Sequence, residues 1–153
     1  MNNTIIKALI LTATPSIELR GSIPYVLILK SSLIIVGVIV LFNIIIGLVT
    51  YLLAGEIINI GKKIPLFKKY WHRYIERIHR KAKKNVKKWH NIRILGIAAF
   101  IAIPLPGTGA YTGAIAAHLL GMDTKEFIIA ESIGVTIAGI IVTIITLGVI
   151  GVI

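Results

Sequence analysis

The chain has 153 residues, of which 56% are hydrophobic, and its mean hydropathy is +0.90. A soluble domain of this size buries only about 70% of the surface that its unfolded chain exposes, so this composition would leave large apolar patches in water. An ordinary cytosolic domain is therefore excluded. The chain contains no cysteine, which also excludes disulfides, thiolate metal sites and a cysteine nucleophile.

The net charge of +11 is concentrated in one central segment, residues 62–93. This segment holds thirteen of the seventeen Lys and Arg residues and a single acid, Glu76. The apolar arms on either side carry the other four bases and five acids, so each arm is nearly neutral. We therefore predict a first membrane arm at residues 1–61, a basic linker at 62–93 and a second membrane arm at 94–153.

The first arm opens with an apolar stretch, residues 5–29, that is interrupted by TPSIELRGSIP. Proline removes a helix donor and glycine permits a tight reversal, and each flanking piece is about half a bilayer long as a helix. Two ionisable side chains at the break, Glu18 and Arg20, are costly on a lipid-facing helix but stay hydrated at a tip that lines a cavity. We predict a re-entrant hairpin with Gly21 at its tip; a kinked full-span helix is the alternative.

Each arm also contains a long apolar segment, residues 33–60 in the first and 127–153 in the second. About 20 apolar residues suffice to cross a bilayer as a helix, so both are predicted transmembrane helices. Asn43, Gly47, Thr50 and Ala54 form a small and polar stripe on the first. Such stripes mainly serve helix packing.

The basic linker has the pattern of an amphipathic helix from Lys68 to Asn91. Aromatic and aliphatic residues recur every three or four positions and basic residues fill the other face, which is typical of a helix on an anionic membrane surface. Nucleic-acid binding is not favoured, because no groove-reading motif is present and both ends join membrane arms. The predicted membrane-surface residues are Lys68, Trp71, Arg73, Arg77, Lys84, Lys88 and Trp89.

The second arm repeats the plan of the first, with an apolar stretch at residues 94–121 interrupted by PLPGTGAYTG. We predict a second re-entrant hairpin. Its tip offers hydroxyl groups from Thr108, Tyr111 and Thr112, and the N–H groups around Gly109 resemble those of anion nests. On the following helix, Glu131 is the one charge within the apolar run and is a further protonation candidate.

The two arms are predicted to form an inverted repeat. The basic linker should stay in the cytoplasm, so the two long helices run in opposite directions and the hairpins enter from opposite faces. Gly21-Ser22-Ile23 aligns with Gly113-Ala114-Ile115. Secondary transporters use this arrangement and build their sites near the midplane from broken helices.

The motifs TPSIELRGSIP and PLPGTGAYTGAIAAHLLGM resemble those of the small multidrug export protein family of prokaryotic membrane proteins. That family is distantly similar to the DedA and VTT superfamily, whose paired re-entrant hairpins carry an acid and a base and whose members move polyprenyl phosphates or phospholipids. The resemblance implies that Glu18 and Arg20 are the functional acid and base of the first hairpin. The second tip departs from the DedA pattern because it has neither an arginine nor a carboxylate.

The sequence as a whole predicts an all-α multi-pass protein of the cell membrane with transport as its function and no enzymatic activity, metal or cofactor. The first hypothesis is translocation of an anionic lipid, with Arg20 holding the phosphate and Glu18 exchanging protons. The second is efflux of cationic drugs held by Glu18 or Glu131. The third is a non-transporting structural protein. Anionic membrane lipids are the expected partners, and a homodimer is expected because one copy has few helices to enclose a bulky cargo.

Overall fold

The computed structural model describes residues 2–15, 17–61, 86–105 and 107–151. Within these ranges all regular structure is helical, which confirms the predicted all-α class for this part of the chain. Most of the predicted amphipathic linker helix, including Lys68, Trp71, Arg73, Arg77 and Lys84, lies outside the described residues. The helices are α1 (Asn2–Ala13), α2 (Glu18–Ile28), α3 (Leu33–Gly61), α4 (Val86–Ala102), α5 (Ala110–Leu119) and α6 (Thr124–Ile150).

Two of these helices, α3 and α6, are long and apolar enough to cross a membrane, over Leu33–Ile58 and Thr124–Ile150. Helix α6 begins three residues before its predicted start because Asp123 caps it. The Asp123 carboxylate accepts the Glu126 N–H at 2.8 Å, and the Glu126 carboxylate accepts the Asp123 N–H at 3.0 Å. Both long helices present exposed rows of large apolar side chains, among them Leu41, Ile45, Leu52, Ile140 and Ile144. Rows of this kind suit a lipid environment.

The remaining helices form two short pairs, and the chain breaks between the members of each pair at the predicted places. Residues 14–17 separate α1 from α2, and residues 103–109 separate α4 from α5. We call these two segments, with the first turn of the helix that follows each, the first tip and the second tip. Pro24 does not contribute to the break, since it lies inside α2. Helix α4 begins inside the predicted linker (residues 62–93) and continues into the second arm. Lys88 and Trp89 therefore lie on the same helix as the residues that begin the second arm.

Each contact between the described helices of the first arm has a counterpart in the second arm. Within each arm the two short helices pack on each other, and both pack on that arm's long helix. Between the arms, α2 packs on α6 just as α5 packs on α3, and the two long helices pack on each other. The core at these crossings is apolar and includes the fully buried Ile23, Ile39, Ile101 and Phe127. Tyr51 of α3 stacks on Phe127 of α6, with ring centroids 4.5 Å apart.

Helices α4 and α6 are in close contact at Gly134. A Cβ atom at this position would lie 2.7 Å from Cβ of Ile101 and 2.8 Å from the Ala98 carbonyl oxygen. Because one of these neighbours is backbone, it cannot move aside without shifting the helix. Contacts of this kind are how small residues allow membrane helices to pack tightly.

We expect Gly134→Ala to lower the stability of the protein, because the added methyl group forces α4 and α6 apart at a cost of about 1–3 kcal/mol. The measurement is the thermal unfolding midpoint in detergent. Gly148→Ala on the same helix is the matched control, since nothing lies within 4 Å of its added Cβ. Equal midpoints for the two variants would contradict this packing.

Candidate functional site

The first and second tips contact each other, and Arg20 makes the most extensive of these contacts. Its guanidinium donates to the Leu105 carbonyl oxygen, to Oγ1 of Thr108 at 2.9 Å and to the Ile103 carbonyl oxygen at 3.3 Å. Oγ1 of Thr108 lies 2.6 Å from the Ile103 oxygen, so all three acceptors form one cradle. The side chain of Arg20 thus bridges the arms through neutral oxygens, and its described contacts include no carboxylate.

Glu18 makes the complementary contact, with the beginning of α5. Its carboxylate is 4% exposed and accepts the Ala110 N–H at 3.2 Å and the Tyr111 N–H at 3.4 Å. The first N–H groups of a helix have no acceptor within the helix, and they carry partial positive charge. The carboxylate of one arm therefore caps a helix of the other arm, and each of its two oxygens accepts one N–H group.

The backbone at Glu18 is held in an uncommon conformation. Its φ is +48°, in the left-handed region that residues other than glycine rarely adopt. The Glu18 carbonyl oxygen accepts the Ser22 hydroxyl at 3.0 Å, and Oγ1 of Thr12 on α1 lies 2.8 Å from Oγ of Ser22. Both hydroxyl side chains are fully buried. Helices α1 and α2 together thus hold Glu18 in position, and such strain is often found at functional sites.

Gly109 is what allows the Glu18 carboxylate to reach the helix. Gly109 has a φ of +153°, and a Cβ atom there would lie 2.8 Å from Cδ of Glu18. Any other residue would displace the carboxylate from the Ala110 N–H. The Tyr111 hydroxyl donates to the carbonyl oxygen of Ala13, the last residue of α1, at 2.6 Å, so the second tip also contacts the end of α1.

Of the eight residues predicted for the site, five meet at the contact between the tips: Glu18, Arg20, Thr108, Gly109 and Tyr111. Gly21 lies beside them on α2, against Ile17. The Thr112 hydroxyl donates locally to the Gly109 carbonyl oxygen at 3.4 Å. Glu131 stands apart on α6, where its carboxyl group contacts Gly47 of α3.

Sequence reasoning missed the groups that satisfy the two charges, because these groups belong to the backbone. The carbonyl oxygens of Ile103 and Leu105 and the N–H of Ala110 carry no side-chain signature. The glycines of PLPGTG predicted N–H groups around Gly109 that resemble an anion nest, but they did not indicate that the anion held there is the Glu18 carboxylate. Among the described residues, no three His, Asp or Glu side chains are grouped as a metal site would require.

We expect Gly109→Ala to expose the first N–H groups of α5, because the added Cβ displaces the Glu18 carboxylate. A hydrogen bond to a charged group contributes about 1.5–3 kcal/mol, so the Ala110 and Tyr111 amides should exchange with deuterium about tenfold faster or more. Hydrogen–deuterium exchange with peptide mapping makes the measurement.

Glu18→Ala should accelerate exchange at the same two amides, since it removes the acceptor itself. Gly96→Ala is the control, because nothing lies within 4 Å of its added Cβ. Unchanged exchange in both test variants would show that Glu18 does not cap α5.

Comparison with known proteins identifies a family. Residues 18–141 match the family described as "Putative small multi-drug export protein". The matched range begins at Glu18, so it takes in the α2 part of the first tip, the second tip and most of α6. No curated protein and no solved structure gives a significant match. A transporter family and two apolar helices of spanning length together indicate a membrane protein. Because the match covers most of its length, the chain belongs to the small multi-drug export protein family.

Proposed function

We propose that the protein is an export transporter and that the contact between its two tips is the barrier that opens for the cargo. The observation that carries the proposal is the way the two charges at this contact are satisfied. Glu18 of the first arm is held by N–H groups of the second, and Arg20 is held by oxygens of the second. Separating the tips would free a carboxylate, a guanidinium and a helix N-terminus at the same place.

The proposed topology is a pair of re-entrant hairpins in an inverted repeat, with the basic linker in the cytoplasm of a cell-membrane protein. Helices α1, α2 and α5 have 12, 11 and 10 residues, about half the length that a bilayer requires. The packing pattern that is unchanged on exchange of the arms also supports a repeat. The excess of Lys and Arg in the linker supports its cytoplasmic placement.

An anionic lipid, such as a polyprenyl phosphate or a phospholipid, is the cargo that we favour. A helix N-terminus is a natural anion site, and at α5 this site holds the carboxylate of Glu18. Arg20 lies two residues away, and a guanidinium matches phosphate through bidentate hydrogen bonds. In this proposal, protonation of Glu18 releases the Ala110 and Tyr111 N–H groups to the phosphate, and Arg20 exchanges its cradle for phosphate oxygens. The distant resemblance to DedA proteins implies the same cargo.

Efflux of a lipophilic cation is the second candidate function, and the description of the family favours it. In that mechanism the carboxylate of Glu18 or Glu131 would leave its present contacts to hold the cation. The two candidates assign different roles to Arg20, which binds the cargo in the first and only bridges the tips in the second. A structural protein that moves no cargo is the third possibility that the experiment must distinguish.

We also propose that the site works in a homodimer and that the linker lies on anionic lipids. The exposed rows of apolar side chains on α3 and α6 offer surface for a second copy as well as for lipid. For the linker, the support is its charge and the spacing of its aromatic residues.

In vesicles containing the purified protein, we expect Arg20→Ala to reduce translocation of a polyprenyl phosphate about tenfold or more, since several charge-assisted hydrogen bonds to the phosphate are lost. Arg20→Lys should restore little, because an ammonium cannot reproduce the planar fork. Lys30→Ala, which removes an exposed charge outside the contact, is the control.

The same variants are then assayed for efflux of a lipophilic cation. Efflux that requires Glu18 but tolerates Arg20→Ala would favour the second candidate. If the wild-type protein moves neither cargo, the transport proposal fails. Unfolding midpoints of every variant separate loss of transport from loss of fold.

A further inference from the structure

Glu131 lies between the two long helices with a carboxyl group that the surrounding structure does not satisfy. It is 1% exposed, and among the described residues neither of its oxygens has a hydrogen-bond partner. Ionised carboxylates are very costly in such a place, whereas a protonated carboxyl group is neutral and far cheaper to bury. The group is therefore in the wrong environment for a permanent negative charge.

A second unsatisfied polar side chain lies nearby on the facing helix. The Glu131 carboxyl group rests against Gly47 of α3, where an added Cβ would lie 2.5 Å from Cδ of Glu131. Asn43 precedes Gly47 by one helical turn and so lies on the same face of α3. It too is 1% exposed, and both polar atoms of its amide lack a partner among the described residues. The Asn43 amide thus lies one helical turn from the glycine that the Glu131 carboxyl group contacts, on the same face of α3.

Packing alone does not explain a carboxyl group at this position. Gly139 of α6 follows Gly47 by 92 positions, the same spacing as between Gly21 and Gly113, and Glu131 follows Val40 of α3 by 91, one position fewer. A Cβ on Gly139 would lie 2.8 Å from Cγ2 of Val40, so the corresponding crossing uses a valine against a glycine. One of these two crossings therefore packs an apolar side chain, Val40, against a glycine, whereas the other packs the acidic side chain of Glu131 against a glycine.

The other described carboxyl groups with similar burial are satisfied. Glu18 accepts two N–H groups, and Glu126 accepts the Asp123 N–H and the Arg93 guanidinium, each at 3.0 Å. Helix α2 also packs on α6, and its two charged residues, Glu18 and Arg20, contact the second tip. From α3, the stripe that contains Gly47 presents the neutral side chains of Asn43 and Thr50, and the Thr50 hydroxyl donates to the Ile46 carbonyl oxygen. No described cation pairs with Glu131.

We propose that Glu131, with Asn43 across the helix crossing, is an intramembrane proton-binding site at which Glu131 holds a proton as a neutral acid when the tips are in contact. The site binds a proton and not a metal cation, because a single carboxyl group and one amide supply too few ligands for a sodium ion. That this proton is exchanged during transport rests on the proposed function; the protonation itself does not.

The test uses dicyclohexylcarbodiimide, an apolar reagent that adds to neutral carboxylic acids to form a stable N-acylurea. The full chain in liposomes is treated at about pH 7, well above the ordinary carboxyl pKa of about 4, and mapped by mass spectrometry. We expect the adduct on Glu131, with at least tenfold less on Glu18 and Glu126, which are similarly buried but whose carboxyl oxygens accept hydrogen bonds. Glu131→Gln should remove the adduct and retain the unfolding midpoint of the wild type, because the amide is neutral and of the same shape.

Infrared spectroscopy detects the protonated carboxyl group directly, so it tests the proposal even if the reagent does not reach Glu131. The carbonyl band of a protonated carboxylic acid should be present in the wild type at the same pH and absent in Glu131→Gln. No difference between these two spectra would overturn the proposal, whatever the labelling result. Protection from the reagent by sodium ions, with loss of the band, would also overturn it in favour of a cation site.

Transport assays of Glu131→Gln then test the coupling separately. Loss of proton-driven transport, with labelling of the wild-type residue intact, would support both the site and its use. Normal proton-driven transport by Glu131→Gln would overturn the coupling and leave the protonation site standing. A wild-type protein that labels at Glu131 but moves no cargo would refute the proposed function alone.

Discussion

The hydrogen bonds from the Ala110 and Tyr111 N–H groups to the Glu18 carboxylate are the interaction on which the contact between the two tips depends. A buried carboxylate needs donors, and the first turn of a helix has donors without acceptors, so each satisfies the other. The left-handed backbone at Glu18 and the absence of a Cβ at Gly109 both serve this contact. Arg20 adds hydrogen bonds of the opposite polarity, in which a cation of the first tip donates to carbonyl oxygens of the second tip.

The tip contact is connected to the long helices by helix packing. Helix α2, which carries Glu18, packs on α6, and α5, which receives the carboxylate, packs on α3. In the transport mechanism that we propose, separation of the tips would therefore also shift the crossing of α3 and α6, where Glu131 faces Gly47. In the mechanism that we propose, one carboxyl group closes the contact as an anion while the other, deeper in the same assembly, stores a proton. The small residues at the helix crossings keep these elements close enough for that coupling.

The sequence predicted helices and breaks well where they depend on residues that are adjacent along the chain. The apolar lengths of α3 and α6, and the breaks near Pro15 and Pro104, follow from hydropathy and from the missing proline N–H. Pro24 was misleading because it lies in the interior of α2, and a proline inside a membrane helix can be tolerated when neighbouring groups satisfy the backbone. The early start of α6 reflects the capping box of Asp123 and Glu126, a signal that the apolar run obscured.

The sequence by itself determined the helical class, the two apolar arms, the separation of charge into the linker and the identity of the charged residues at the first tip. These depend on composition and on periodicity along the chain. Only the tertiary structure decided that Glu18 and Arg20 bind different parts of the second tip and not each other, and that Glu131 shares a helix crossing with Asn43 instead of joining the tips. The partners are backbone groups and a glycine surface some ninety residues away, and only folding brings them within hydrogen-bond distance.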